Sequence, residues 1–386
     1  MMRRIGVTEL QAMNTFELNV KCPDVWLITD PEELTTYLRA FAPERRRSLH
    51  IAGELSNTVL GDLASPLLLF RDGNGFDIST RGETVLVRAA GSCHFDALVT
   101  LLCEKGISGL ELLSGIPGTV GSAIVQNIAA YGQRLSGHFV SARAFDLERG
   151  SIVELDADAM NFSYRSSSLK DPNRYTPKLI ILDAILQFGS SGILDSIAYA
   201  DLQRLHAERG RHPQDLLGRR SSVLELRQRK GMVVGGDNWI PSAGSFFMSP
   251  VVPTARAVEI AKLVRGSQFA ETFLSWYKPD AYETRCPAAL VMRAAGFLNG
   301  DRWDAVGLSP NHILAICSFA PATASDVAAV AAIVQSKVAE TLGISMETEV
   351  RYAGSVVIPD LDAFLRHHPF SSGVGEPHWV LGMDAP

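Results

Sequence analysis

Seven residues constrain this chain more than any other stretch. Gly115-Ile116-Pro117-Gly118-Thr119-Val120-Gly121 places three glycines in seven positions, and Ser122 and Ala123 follow. Small residues in series let backbone N–H groups close on an oxygen-rich anion such as a pyrophosphate. The spacing is not the G-x-G-x-x-G of a dinucleotide-binding βαβ unit. No Gly-Lys-Ser/Thr follows either, which sets aside a P-loop. On its own such a cluster is more often only a loop, so its meaning depends on its surroundings.

Those surroundings alternate between helix and strand. Asp30 is placed to cap a helix opening at Pro31, with Leu34, Tyr37, Leu38 and Phe41 on one face. Ser48 to Ala52 reads as a buried strand, leading into the polar turn Gly53-Glu54-Leu55-Ser56-Asn57. Thr84 to Ala90 is a strand, Phe95 to Glu104 a helix, Phe139 to Phe145 and Ile152 to Leu155 a β pair turning at Arg149-Gly150, and Leu179 to Phe188 a further apolar strand. After Gly189 the character becomes helical, over Tyr199 to Glu208 and Ser221 to Arg229, with His212-Pro213 between them. The Gly- and Pro-punctuated stretch Met232 to Pro241 marks a domain boundary. Beyond it one helix runs from Thr254 towards Gly266. Another is capped by Ser325, lines up Val327, Val330, Val334 and Val338, and ends at Gly343. The tail after Gly354 reads as an added strand and helix or as partly disordered.

Composition narrows the function. A chain of 386 residues exceeds one ordinary core and calls for two or three domains. A net charge of −6 offers no basic footprint for nucleic acid or an anionic membrane. No apolar run approaches the roughly 18 residues of a membrane span, and the N-terminus has no signal-peptide core. Five cysteines, none in a C-x-x-C pair, suit reduced thiols in the cytoplasm rather than a disulfide framework or a zinc site. His206 and His212 have no third ligand in view, and no metal is expected.

The longer string Gly115 to Gly132, GIPGTVGSAIVQNIAAYG, resembles the flavin-binding signature of the UDP-N-acetylenolpyruvoylglucosamine reductases. Four further segments resemble that family's motifs in the same order. They are Asn14-Thr15-Phe16; Tyr164-Arg165 with Ser167 and Lys170; Ala243-Gly244-Ser245-Phe246-Phe247; and Glu349-Val350-Arg351. Together they span residues 14 to 354, nearly the whole chain before the tail.

The resemblance implies an α+β, three-domain FAD-binding reductase of the vanillyl-alcohol-oxidase-like (PCMH-type) flavoprotein superfamily. Residues 13–73 plus 349–386 would form a first FAD-binding domain, 74–233 a second, and 234–348 a substrate-binding domain. FAD would be held by Gly53, Ser56, Asn57, Ile116, Pro117, Gly118, Thr119, Val120, Gly121, Ser122 and Asn127. The link to flavin is expected to be non-covalent, with Cys93-His94 the one place where attachment stays open. NADPH would donate hydride, and an enolpyruvyl ether on a nucleotide sugar would accept it, in peptidoglycan precursor synthesis. A monomer in the cytoplasm, inserted in no membrane, would serve.

The same resemblance implies roles for side chains. Arg165 offers a permanent planar cation to the substrate carboxylate as charge builds there; its bland reading is a surface arginine. Ser245 would donate the proton to the carbon beside that carboxylate, against a plain small residue in a turn. Glu349 would orient the carboxylate or share a proton with it, against an exposed strand glutamate on a face with Glu347. Tyr164, Tyr199 and Lys230 would hold substrate. Tyr199, in a Tyr-Ala-Asp-Leu segment, belongs to the branch with a tyrosine-bearing substrate loop; a core tyrosine and a solvated lysine are the bland readings. His312, just before a strand, is read as structural.

The chain also departs from the family pattern. Leu55, Ala129, Arg134, Ser249 and Arg293 replace glycine, glycine, glutamate, asparagine and glutamine, and Thr284 to Val291 lacks the family's tryptophan segment. The chemistry set is retained while the nucleotide-sugar set has drifted. Two alternatives to the reductase itself follow: a related FAD oxidoreductase acting on another nucleotide-linked or carboxylated substrate in specialised metabolism, and a non-catalytic flavin or nucleotide-sugar binding protein. Retention of Arg165, Ser245 and Glu349 together argues against the last.

Overall fold

The computed structural model describes residues 2–171, 174–189, 199–210, 213, 215–264, 270, 273–274 and 281–373. The chain divides into two compact units. The first comprises Met1–Asn14, Val20–Ser56 and Asp62–Arg227, and the second Thr15–Asn19, Asn57–Gly61 and Gln228–Pro386. The chain therefore changes unit after Asn14, Asn19, Ser56, Gly61 and Arg227, the third of these inside the polar turn.

Two sheets build the first unit. One has the order Arg3–Ile5, Val25–Ile28, Leu67–Phe70, His50–Ala52, with an antiparallel edge pair and two parallel pairs. The Pro31–Arg39 helix packs on it and starts as its sequence dictates: Pro31 occupies the first turn and the Asp30 carboxylate accepts from the N–H groups of Glu32 and Glu33, both at 2.9 Å. The second sheet is fully antiparallel, in the order Ser151–Asp156, Phe139–Asp146, Leu179–Gly189, Thr84–Ala90, Phe76–Arg81. Its long central strand is apolar on both sides because both sides are covered. Ile180 and Leu182 join the core of the first sheet with Leu34, Leu38 and Phe70, whereas Ile181, Ala184 and Leu186 face the Phe95–Glu104 helix through Leu98, Val99 and Leu102. A register irregularity at Leu182 in the pairing with Phe139–Asp146 switches the alternation, so that one strand is divided between two cores.

The second unit carries an antiparallel sheet in the order Ser242–Ser245, Ala315–Ser318, Val306–Leu308, Arg302–Trp303, Phe370–Ser371. The tail therefore contributes the expected helix, Leu361–His367, and an edge strand, while residues 374–386 lie outside the described residues. Val327, Val330, Val334 and Val338 are all fully buried along the Ala324–Leu342 helix, which ends at Gly343 with φ +67°. Its cap differs from expectation. Thr323, not Ser325, closes it, in a reciprocal capping box with Asp326, and the Ser325 hydroxyl instead accepts from the Val357 N–H at 3.3 Å. The Thr254–Leu263 helix begins where expected; its anticipated stop at Gly266 falls outside the described residues, as does His212. The Ser221-to-Arg229 helix starts earlier, at Leu216.

All five cysteines are free thiols. Among the described residues no helix is long and apolar enough to cross a membrane, and no group of three His, Cys, Asp or Glu side chains is arranged to hold a metal ion.

Candidate active site

In the first unit, the polar turn at Gly53 and the glycine string come together. A Cβ on Gly53 would lie 2.7 Å from the Thr119 hydroxyl, and one on Gly121 would lie 3.1 Å from the Gly91 carbonyl oxygen, so both are close approaches that glycine eases. The Glu54 carboxylate accepts the Gly118 N–H at 2.8 Å. Gly118 itself has φ +127°, and the space a side chain would take there is bordered by the hydroxyls of Ser122 at 3.2 Å and Ser56 at 3.5 Å. Thr119 and Ser122 form a capping box at the start of the Val120–Gln126 helix. The result is a narrow cradle bordered by the hydroxyls of Ser56, Thr119 and Ser122, which suits a phosphate-rich cofactor.

The Arg165 motif is bolted to the other end of that same helix. Ser163 and Ser166 exchange backbone hydrogen bonds of 3.0 and 3.2 Å, which puts Tyr164-Arg165 at the tip of a two-residue turn. Arg165 has φ +54°, a left-handed conformation that costs a non-glycine residue about 1–2 kcal/mol. Three bonds tie the turn down. The Asn127 side-chain amide donates to the Ser163 carbonyl at 2.8 Å, the Ser167 hydroxyl to the Val125 carbonyl at 2.8 Å, and the Arg165 guanidinium to the Ala129 carbonyl at 2.5 Å. Lys170 closes the turn by donating to the Arg165 carbonyl at 3.0 Å. The Ser167 and Lys170 positions of the Tyr-Arg-x-Ser-x-x-Lys pattern thus have a local purpose, namely holding Arg165 where it stands. The surface-arginine reading does not account for a strained residue anchored in this way.

The second unit gathers the remaining motifs. Ser245 ends the Ser242–Ser245 strand opposite Ala315. The next residue, Phe246, accepts the Glu349 N–H at 2.8 Å through its carbonyl, while the Met248 N–H donates to the Glu347 carbonyl at 2.9 Å. Backbone pairing therefore sets Glu349 one residue from Ser245. The Asn57 side chain donates to the Glu349 carbonyl at 3.3 Å, and the Arg351 N–H to the Asn57 carbonyl at 3.0 Å. Phe16, from the N-terminal motif, meets Phe246 edge-on at 6.4 Å. Glu347 is exposed and Glu349 half-buried, so the two are not equivalent strand glutamates.

Tyr199 and Lys230 are both buried, at 8% and 3% exposure. Tyr199 occupies the position before the Ala200–Glu208 helix and packs edge-on against Tyr131, whose ring centroid is 4.8 Å away, in a cluster with Leu112, Leu202, Leu205, Val223 and Leu226. A solvated lysine is ruled out at 230. Tyr199 in this arrangement is covered by Tyr131. The Leu216–Arg229 helix is fixed to the glycine string through Asp96, which accepts the Gly115 N–H at 2.6 Å and a bidentate pair from Arg220 at 2.6 and 2.7 Å. Burial alone would raise the Asp96 carboxyl, but Arg220 and the Gly115 amide hold it below its ordinary value. His312 is buried, and its carbonyl accepts the Ala315 N–H at 2.9 Å, in keeping with a structural role.

The departures resolve into local structure. Leu55 keeps the backbone that glycine would adopt, with φ +56°, and buries its side chain. The Ser249 hydroxyl accepts the Ala288 N–H at 3.2 Å at the start of the Ala288–Ala294 helix, and Arg293 near that helix's end donates to Asn299 at 2.9 Å.

Sequence reasoning missed one cluster. The His94 ring lies between Glu54, at hydrogen-bond contact with Nδ1, and Asp72, 2.9 Å from Nε2. Burial and charge at 54, 72 and 94 come from three loops far apart in the chain, and no spacing rule links them. Both His94 nitrogens thus lie against carboxylates, and Cys93 is fully buried with its thiol pushed up by burial.

Residues 25–156 match a family model described as an FAD binding domain, and residues 236–353 one described as the C-terminal domain of UDP-N-acetylenolpyruvoylglucosamine reductase. With the glycine cradle and the anchored arginine, these matches define an FAD-dependent oxidoreductase. A reductase of the latter name from Corynebacterium diphtheriae is 32% identical over 312 residues, covering 79% of this chain and 79% of the relative. Another, from Mycobacterium sp. (strain MCS), is 35% identical over 332 residues, covering 84% and 89%. The chain belongs to the UDP-N-acetylenolpyruvoylglucosamine reductase family. The solved reductase from Thermus caldophilus shares its fold, with a TM-score of 0.57 at 19% identity over 91% of this chain and 99% of that one. The α+β, FAD-binding class expected from the motifs holds, and a different substrate is not favoured by the relatives found.

Proposed function

We propose that this protein reduces UDP-N-acetylglucosamine enolpyruvate to UDP-N-acetylmuramate with NADPH, a step of peptidoglycan precursor synthesis, as a monomer in the cytoplasm. The observation that carries the proposal is the anchoring of Arg165, a strained residue that three side-chain hydrogen bonds hold beside the cofactor loops. FAD, when bound, supplies a two-electron carrier between NADPH and the substrate alkene. Gly53, Ser56, Asn57, Ile116 to Ser122 and Asn127 would hold it, with the glycines leaving room for its phosphates and the Ser56, Thr119 and Ser122 hydroxyls available to bond them, while Asn127 fixes the helix end to the Arg165 turn.

Hydride addition to the enolpyruvyl ether leaves negative charge beside the substrate carboxylate. Arg165 pairs with that carboxylate, and its charge does not depend on pH, so it stabilises the developing enolate throughout. Ser245 donates its hydroxyl proton to the adjacent carbon, and Glu349, held one residue away by backbone pairing, orients the carboxylate. Tyr164, Tyr199 and Lys230 bind the nucleotide sugar. Residues 13–73 with 349–386 serve as the first FAD-binding domain, 74–233 as the second, and 234–348 as the substrate-binding domain.

The test is product analysis in deuterium oxide. With NADPH and the enolpyruvyl nucleotide sugar, the expected product is the lactyl ether carrying one solvent deuteron at the carbon next to the carboxylate. NADPH oxidation without this product refutes the proposal.

A further inference from the structure

The Glu54–His94–Asp72 cluster has no part in the chemistry above, yet it touches both cofactor loops. Glu54 uses one carboxylate oxygen to accept the Gly118 N–H at 2.8 Å and the other to meet His94 Nδ1. His94 Nε2 meets Asp72 at 2.9 Å. A neutral imidazole has one N–H and one lone pair, so it satisfies one of two flanking carboxylates and repels the other; only the imidazolium donates to both. The geometry is that of a charged His94 acting as a cross-brace.

We propose that His94 is a positioning residue of the flavin site, whose imidazolium braces the Gly53–Ser56 turn against the Gly115–Ser122 loop through Glu54, so that FAD binds tightly while His94 is protonated and more weakly once it is not. This rests on the FAD reading of those loops. The ligand chemistry addressed is the anionic pyrophosphate. Loss of the His94 proton removes a positive charge from the cluster that holds the two loops and leaves the Glu54 and Asp72 carboxylates facing a lone pair.

The other charges around the cluster are few. Arg71 pairs with Asp72 at 2.8 Å, and Arg3, itself held by Glu9, also faces Asp72. On the glycine-string side His94 pairs with Thr119, which bears no charge, and its neighbour Cys93 is a buried, neutral thiol. The hydrogen bond to Glu54 raises the His94 pKa above its ordinary value, with burial and Arg71 working against it and Asp72 for it. The proton is therefore lost as pH rises through a value above 6.5, and the brace is complete below it. The His94 side chain is 42% exposed, which lets it exchange protons with solvent.

The experiment is FAD titration of the full-length, flavin-stripped protein, following flavin fluorescence from about pH 6 to about pH 9, for the wild type, His94→Gln and Asp72→Asn. The wild-type Kd is expected to weaken roughly tenfold across the range, a typical coupling. His94→Gln keeps a neutral hydrogen-bonding side chain; it should bind at the weaker value throughout, with no pH dependence between those limits. Asp72→Asn removes one anion that holds the proton and should move the wild-type midpoint to lower pH, which a packing role for His94 would not do. A pH-independent wild-type Kd matched by His94→Gln, or an unmoved midpoint in Asp72→Asn, overturns the inference while leaving FAD binding intact. Absence of FAD binding by every protein at every pH overturns the FAD reading and the inference together.

Discussion

Leu55 gives the sharpest stability prediction. Its φ of +56° is a left-handed conformation, and its side chain is only 3% exposed. Two effects of opposite sign meet there. Truncating a buried leucine to alanine typically costs about 2–5 kcal/mol, and a non-glycine residue in the left-handed region carries about 1–2 kcal/mol of strain. Leu55→Ala loses the packing and keeps the strain; Leu55→Gly loses the packing and releases the strain. At an ordinary site glycine is less stable than alanine by roughly 0.5–1 kcal/mol. Here the order should invert, with Leu55→Gly more stable than Leu55→Ala by about 1 kcal/mol and both below the wild type. Equilibrium urea unfolding, compared by midpoint at unchanged slope, measures the difference. If glycine falls below alanine by the ordinary margin, the turn does not demand a left-handed residue at 55 and the strain argument fails.

Four other outcomes are expected. Ser245→Ala should leave flavin reduction by NADPH unchanged and slow substrate reduction about 10²- to 10⁴-fold, as for loss of a general acid; equal slowing of both half-reactions would make Ser245 structural. Arg165→Gly should change stability by less than about 1 kcal/mol, because relief of its left-handed strain offsets the lost bond to the Ala129 carbonyl, yet turnover should fall at least about 100-fold; a large loss of stability would show the residue to be mainly a strut. Ser249→Asn with Arg293→Gln should tighten binding of the enolpyruvyl nucleotide sugar by up to about 100-fold if an unmade hydrogen bond there weakens it; weaker turnover instead would mean the pocket has been rebuilt. Ellman's reagent should label Cys22 alone in the folded protein, since the other four thiols are buried and those of Cys286 and Cys317 are pushed up to about 12 by burial; rapid labelling of a second thiol would contradict the packing.

Local signals in the sequence located elements well where one physical rule dominated. Asp30-Pro31 gave a helix start because a carboxylate acceptor and a fixed φ act on the same turn, and Thr84 to Ala90 and Phe95 to Glu104 agree with the structure end to end. The Ser325 cap failed because Thr323, two residues earlier, has Asp326 at the reciprocal position, and two hydrogen bonds outweigh one. Arg165, Ser245 and Glu349 were legible as residues through their motifs, but the left-handed turn that strains Arg165 was not, since nothing in Tyr-Arg-Ser announces a positive φ. The Glu54–His94–Asp72 brace was invisible for a different reason: it exists only where three loops converge. Tyr199 likewise showed its helix but not the Tyr131 ring that covers it, because that contact depends on how a helical pair folds back on the glycine string.

The central claim is that flavin bound at this site carries hydride from NADPH to an enolpyruvyl nucleotide sugar. Anaerobic stopped-flow absorbance of the holoenzyme tests it directly. NADPH should bleach the oxidised flavin band, and UDP-N-acetylglucosamine enolpyruvate, added next without oxygen, should restore it in a single stoichiometric turnover. A flavin that NADPH reduces but the enolpyruvyl sugar does not reoxidise would contradict the account.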